Sequence, residues 1–293
     1  MGRRLAYLGT PEMAVPPLDA LVAAGHEVVV VLTRPDRRRG RGPAASPSPV
    51  KAEALRLGIP VVHDVQAVVG ARPELGVVAA YGRIVPERVL AVVPMVNLHF
   101  SLLPRWRGAA PVERAILAGD PVTGVCIMAL EAGLDTGPVY ARREVPIEPG
   151  DDLASLRERL VAVGSRLLVE TLAGPLPPPV PQEGEPTYAA KVDPAELELD
   201  WDAAAGELGR LVRLGRAWTT WRGRRLRVLE AEVVARPPGA AACIPGALEG
   251  VVACAGAGAL RLVRVQPEGR AAMDADAWRR GARPVPGERL GTP

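Results

Sequence analysis

NLHFSLLPRWRGAAP, residues 97–111, places an amide, an imidazole and a hydroxyl on alternate positions of an otherwise apolar segment. Residues two apart in a strand share a face. Asn97, His99 and Ser101 are therefore expected to point one way, with Leu98, Phe100 and Leu102 pointing the other. Such a segment suits a strand end that opens into a cleft, with Pro104 breaking the run and Gly108 following it.

Working outward, apolar runs of buried-strand type occur at 3–9 (RRLAYLG) and 27–33 (EVVVVLT), with a helix expected over 12–25 and Gly25 as its stop. Helices are expected at 50–57, 86–93 and 108–118, and strands at 60–63, 76–80, 96–102, 124–130 and 138–147. Strands alternating with helices predict an open, mainly parallel α/β sheet. Leu153, Leu156, Leu160, Val163, Leu167 and Leu168 recur at helical spacing and predict a helix over 152–173, ending at Gly174. PLPPPVPQEGEP (175–186) is too proline-rich for regular structure other than polyproline II, which reads as a linker. After a helix at 203–214, short apolar runs such as LRVLEAEVV and ALRLVRVQP alternate with Pro and Gly clusters, the pattern of a small β-barrel. The reading is a catalytic domain over 1–174, a linker over 175–199 and a second domain over 200–293.

The 293 residues are enough for two domains, and a hydrophobic content of 48% is enough for real cores. Lys51 and Lys191 are the only lysines, so nearly all positive charge is arginine. No apolar run reaches the roughly 20 residues a membrane span needs. MGRRLAYLGT turns to Gly-Thr-Pro too early for a signal peptide, so a cytoplasmic protein without a membrane partner is expected. Cys126, Cys243 and Cys254 are odd in number and widely spaced, suggesting neither a disulfide framework nor a zinc site. His26, His63 and His99 are too scattered to indicate a metal, and none is expected. The net charge is +3, but residues from 201 onward hold 15 arginines against 9 acidic residues. A basic C-terminal third fits contact with a polyanion, and equally fits an arginine-rich surface of no particular function.

LGTPEMA (8–14) has one glycine and matches neither G-x-G-x-x-G nor a P-loop, which excludes a dinucleotide or ATP site there. In 33–51, Arg34, Arg37, Arg38, Arg39 and Arg41 stand against Asp36 alone before Lys51. Such a loop could be simply solvated, or could meet a phosphate backbone, because arginine forks match phosphate oxygens. EAGLDTGPVY (131–140) puts Asp135 on a tight loop between two apolar strands, where an Asx-turn role is the ordinary one. Its other role would be to hold His99, since a carboxylate partner favours the protonated, donor form of an imidazole. With Asn97 on the same side, two donors would converge on the oxyanion of a tetrahedral acyl-transfer intermediate. Ser101 lacks the G-x-S-x-G of an activated nucleophile, so direct acyl transfer without a covalent enzyme intermediate is expected.

Asn97-x-His99, followed by Ser101-Leu102-Leu103-Pro104, Arg107-Gly108 and then Gly133 to Gly137, resembles the folate-dependent formyltransferase superfamily. WRGAAP (106–111), GTP (9–11), RPD…GRG…SPVK (34–51) and AYG (80–82) are similar to the members that formylate initiator Met-tRNA. The similarity runs through WDAAA and QPEGRAAM, over nearly the whole chain. The resemblance implies a Rossmann-like catalytic domain and an OB-like barrel that helps to bind tRNA. It implies 10-formyltetrahydrofolate as formyl donor and the methionine α-amino group of initiator Met-tRNA as acceptor. Asn97, His99 and Asp135 match the catalytic residues, Ser101, Leu102, Leu103 and Pro104 the folate-contacting segment, and Arg41 the loop arginine at the tRNA acceptor end. Arg37, Arg38 and Arg39 extend that basic loop. Phe100 stands where the superfamily often has a small residue, and Pro43-Ala44 where related loops carry lysines. The chain is expected to act as a monomer. Formylation of an amino-sugar nucleotide or a glycinamide ribonucleotide needs neither the arginine loop nor a basic second domain. A non-catalytic RNA-binding protein would not need Asn97, His99 and Asp135.

Overall fold

The computed structural model describes residues 2–38, 45–236, 244–285 and 288–292, with the backbone alone at Arg37, Arg38 and Ala45. The chain divides into two compact units. One comprises Met1–Val112, Pro121–Ile147 and Ser155–Ala190; the other comprises Glu113–Asp120, Glu148–Ala154 and Lys191–Pro293.

The first unit is built on a seven-stranded sheet. Its strands are β1 (Arg4–Gly9), β2 (Glu27–Leu32), β3 (Val61–Val62), β4 (Leu75–Ala79), β5 (Met95–His99), β6 (Val122–Ala129) and β7 (Val139–Pro146), in the order β7-β6-β5-β4-β1-β2-β3. β3, β2, β1, β4 and β5 run parallel, whereas β5–β6 and β6–β7 are antiparallel. The parallel strands are continuous apolar runs because both sheet faces are covered. Leu5, Ala6, Tyr7 and Leu8 of β1 have no exposed surface. β5 is where the parallel part of the sheet meets the antiparallel part. Val78 of β4 lies opposite Asn97 on one side, and Met128 of β6 lies opposite it on the other.

The helices of the sequence reading are present, but several are shorter. The one expected over 12–25 is a 3-10 turn at Glu12–Ala14 followed by α1 (Val15–Ala23), whose prolines occupy the tolerant first turn. α2 (Pro49–Arg56) is capped by Ser48, whose hydroxyl accepts from Lys51 N at 3.0 Å. α3 (Gln66–Gly70) was not anticipated, since five residues carry too little periodicity, and α4 spans only Glu87–Leu90. α5 (Pro111–Ala118) starts three residues later than expected, because Arg107–Gly108 pairs with Tyr188–Ala189 as a two-residue parallel ribbon. α6 (Leu153–Leu172) buries Leu156, Leu160, Leu167 and Leu168. A Cβ on Gly164 would lie 2.9 Å from the Leu98 side chain, so α6 packs closely on the apolar side of β5. Asn97 and His99 are left for the opposite face.

The second unit carries an antiparallel, OB-like sheet of β8 (Trp218–Trp221), β9 (Arg224–Val234), β10 (Leu248–Glu249), β11 (Val252–Cys254), β12 (Ala259–Pro267) and β13 (Met273–Asp274). α7 (Ala205–Val212) and α8 (Ala275–Ala282) accompany it. Trp201, Leu208, Trp221, Val228, Leu262 and Trp278 belong to one core, in which Trp221 and Trp278 meet edge to face at 5.4 Å. Among the described residues, no helix is long and apolar enough to cross a membrane.

Near the N-terminus, Nδ1 of buried His26 accepts a hydrogen bond from Arg3 N at 3.1 Å. Burial, reinforced by the charge of Arg3, holds the ring below its ordinary value of 6.5. The unfolded chain therefore takes up a proton on His26 before the folded one does, and this part of the stability falls as pH drops below about 6.5. Urea midpoints at pH 7.5 and 5.5 are expected to differ less in His26→Asn than in the wild type.

Candidate active site

β5 delivers Asn97 and His99 at its carboxyl end, and the loop between β6 and β7 carries Asp135 over that end. Asn97 Nδ2 donates to Asp135 Oδ1 at 3.3 Å, and His99 Nδ1 lies 3.6 Å from Asp135 Oδ2. The three residues keep 9%, 5% and 9% of their surface. Charges in such a setting act more strongly than in water, because little solvent screens them. Asp135 therefore bonds one side chain 38 residues away in sequence and lies beside another 36 residues away.

The carboxylate is itself fixed. Gly108 N donates to Asp135 Oδ2 at 2.8 Å. Gly108 sits at φ +119°, a left-handed backbone that a side chain would strain, and it is paired with Ala189. Asp135 has φ +51°, a conformation in which Asp and Asn are enriched among residues with side chains. Gly137 cannot gain a Cβ without driving it into the Ala129 carbonyl oxygen, so the loop closes tightly on the end of β6.

His99 Nε2 donates to the Trp106 carbonyl at 2.9 Å. Both ring nitrogens thus face oxygens, Nε2 at hydrogen-bond distance and Nδ1 at 3.6 Å. Trp106 takes φ +63°, and its N–H donates to Thr187 Oγ1 at 2.9 Å. The Arg105 guanidinium lies over the Trp106 ring, 4.5 Å from its centroid. The segment after β5 is therefore tied to residues 187–189, some 80 positions further along the chain.

Ser101 departs from its expected place. β5 ends at His99, so the alternation of a strand no longer governs residue 101. The Ser101 hydroxyl is fully buried and donates to Arg105 O at 2.6 Å. Leu103 is also buried, against Cys126 and Met128. Of the four residues matched to folate contact, Leu102 and Pro104 keep partial exposure. Phe100 is a core residue, 5% exposed. Burial pushes the Cys126 thiol up to about 11, so it remains a packed, protonated side chain.

Arg37 and Arg38 form a two-residue ribbon with Ala45–Ser46. Arg39 and Arg41 lie outside the described residues. Asp36 is paired with Lys51 at 2.7 Å. Among the described residues, no group of three or more His, Cys, Asp or Glu side chains is placed to hold a metal ion. Residues that a sequence reading misses are the Trp106 carbonyl, the Gly108 N–H, Gln182 and Thr187. Only Gly108 carries a local signal, as a glycine that follows a run of bulky residues.

Asn97 and His99 on one strand are gathered beside the Asp135 carboxylate at the sheet end, an arrangement that suits acyl transfer. Residues 3–172 match the formyl transferase family and residues 191–283 match the formyl transferase C-terminal domain, so the chain belongs to the formyl transferase family. Similarity over the full length is narrower still. The methionyl-tRNA formyltransferase of Jannaschia sp. (strain CCS1) is 46% identical over 302 residues, covering 97% of this chain and 98% of the relative. That of Rhizorhabdus wittichii is 48% identical over 309 residues, covering 99% of each. The crystal structure of an N-formyltransferase from Helicobacter canadensis aligns with a TM-score of 0.68 over 89% of this chain and 99% of that one. At 15% identity it shows the shared fold alone.

Proposed function

We propose that the chain transfers the formyl group of 10-formyltetrahydrofolate to the α-amino group of methionine on initiator Met-tRNA, acting as a cytoplasmic monomer. The convergence of Asn97 and His99 on the Asp135 carboxylate carries this reading. The full-length similarity to methionyl-tRNA formyltransferases directs the choice of acceptor.

The amine nitrogen attacks the formyl carbon, and the carbonyl electron pair moves to oxygen. Asn97 has a second amide hydrogen beyond the one given to Asp135, and it donates this to the oxyanion. His99 keeps its Nδ1 contact with Asp135 and exchanges its Nε2 bond from the Trp106 carbonyl to the same oxygen. The attacking nitrogen loses a proton, with Asp135 as the nearby acceptor. The carbon–N10 bond then breaks, and N10 takes up a proton as tetrahydrofolate leaves. Ser101 and Cys126 are both engaged elsewhere, which favours direct transfer over an acyl-enzyme. Partially exposed Leu102 and Pro104 are assigned the folate contact, with Ser101 and Leu103 shaping the turn beneath them.

Formylation assays with 10-formyltetrahydrofolate and three acceptors test the reading: initiator Met-tRNA, elongator Met-tRNA and an amino-sugar nucleotide. The first is expected to be the preferred acceptor, and formylation of the sugar instead would overturn the proposal. For the basic loop, Arg41→Ala is expected to raise KM for initiator Met-tRNA on the order of 10-fold while leaving KM for the folate nearly unchanged. Equal effects on both would assign the loop to shaping the pocket.

A further inference from the structure

Residues 175–190 belong to the first unit and run back along the site. Val180 exchanges both backbone hydrogen bonds with Val139, each at 2.8 Å. Two residues later, the Gln182 side chain makes four hydrogen bonds. Its Nε2 donates to the carbonyls of Asp135 and Gly137, each at 2.8 Å. Its Oε1 accepts from Arg107 Nε at 3.1 Å and from the Arg107 terminal nitrogen at 2.7 Å. Both hydrogens of the amide and both lone pairs of its oxygen are used, so the orientation of the group is determined. The Arg107 bonds are charge-assisted, and Arg107 precedes Gly108, whose N–H holds the Asp135 carboxylate.

We propose that Gln182 is a positioning residue for catalysis. Its amide clamps the two carbonyls that bracket the left-handed Asp135 turn and joins them to the Arg107–Gly108 segment. The carboxylate is thereby aimed at Asn97 and His99 together. The loop is held from its backbone side by Gln182 and from its carboxylate side by Gly108, through one continuous chain of hydrogen bonds. No other side-chain type of this size supplies two donors and an acceptor from a single planar group. Glutamate would set an oxygen against two carbonyl oxygens, and methionine would fill the volume without bonding. The inference rests on the formyl-transfer reading for its kinetic consequences, whereas the clamp itself is a structural claim.

The test compares Gln182→Glu and Gln182→Met with the wild type in 10-formyltetrahydrofolate-dependent formylation of initiator Met-tRNA. A fall in kcat on the order of 10- to 100-fold is expected in both, with either KM changed by less than about twofold. In an Asp135→Asn background, Gln182→Met should cost less than about twofold more, because both changes act through one carboxylate. The His99 ring resonances of ¹³C-histidine-labelled protein, assigned with His99→Gln, should shift in both Gln182 variants while Tm stays close to wild type. Unchanged kcat, unchanged His99 resonances, or losses that multiply independently with Asp135→Asn would each overturn the proposal. Failure of both variants to fold would make Gln182 a folding residue and overturn it equally. Wild-type protein that formylates no Met-tRNA would strike the functional reading alone, since the His99 resonances report the clamp without turnover.

Discussion

Alanine in place of Asn97 is expected to lower kcat about 10²- to 10³-fold, the loss that follows removal of one oxyanion donor from a preorganised site. Asn97 is 9% exposed and sits on a central strand between Val78 and Met128, so its amide is held before any charge develops. KM for both substrates should change little, because the bond strengthens as the oxyanion forms, and kcat and kcat/KM should fall together. Loss of the amide also removes one donor from Asp135, which keeps Gly108 N and the His99 ring as neighbours. Steady-state kinetics with initiator Met-tRNA as acceptor provide the check. A large rise in KM with unchanged kcat would assign Asn97 to substrate binding alone.

Asp135→Asn is expected to cost more, about 10³- to 10⁴-fold in kcat, the range seen where the carboxylate of a catalytic histidine is made an amide. The substitution isolates chemistry from folding. Asparagine tolerates the φ of +51° at position 135, and its oxygen can still accept from Gly108 N. What disappears is the negative charge between Asn97 Nδ2 and His99 Nδ1, and with it the group proposed to receive the amine proton. Asp135→Ala should be worse in stability as well as rate, because alanine lacks the local hydrogen bonds that support a left-handed residue. Thermal denaturation of the two variants distinguishes these effects. Asp135→Asn should melt close to the wild type, and Asp135→Ala at a lower temperature.

The elements that were legible in the sequence are those specified locally. Alternation around Asn97 and His99 separates the polar face of β5 from Leu98, and the close approach of Gly164 to Leu98 shows why that second face had to be apolar. The long α6 followed from its leucine spacing. Asp135 was recognisable as a possible partner of His99 from its place between two glycines on a tight loop joining two apolar strands. Ser101 shows where the rule of alternation stops: the strand ends at His99, and a turn carries the hydroxyl inward to Arg105 O. The tie between 106–108 and 187–189 left no trace, because two-residue pairing across some 80 positions has neither periodicity nor a turn signal. Gln182 was hidden for a different reason. The composition of 175–186 describes a proline-rich connector, and nothing in composition reveals that one amide within it is fully bonded, to the Asp135 loop and to Arg107.

Single-turnover formylation of initiator Met-tRNA, with enzyme in excess and wild type and Asn97→Ala side by side, tests the central claim most directly. The account predicts formyl-methionyl-tRNA from the wild type, formed about 10²- to 10³-fold more slowly by Asn97→Ala. No formylated tRNA from the wild type, or equal rates from the two proteins, would contradict it.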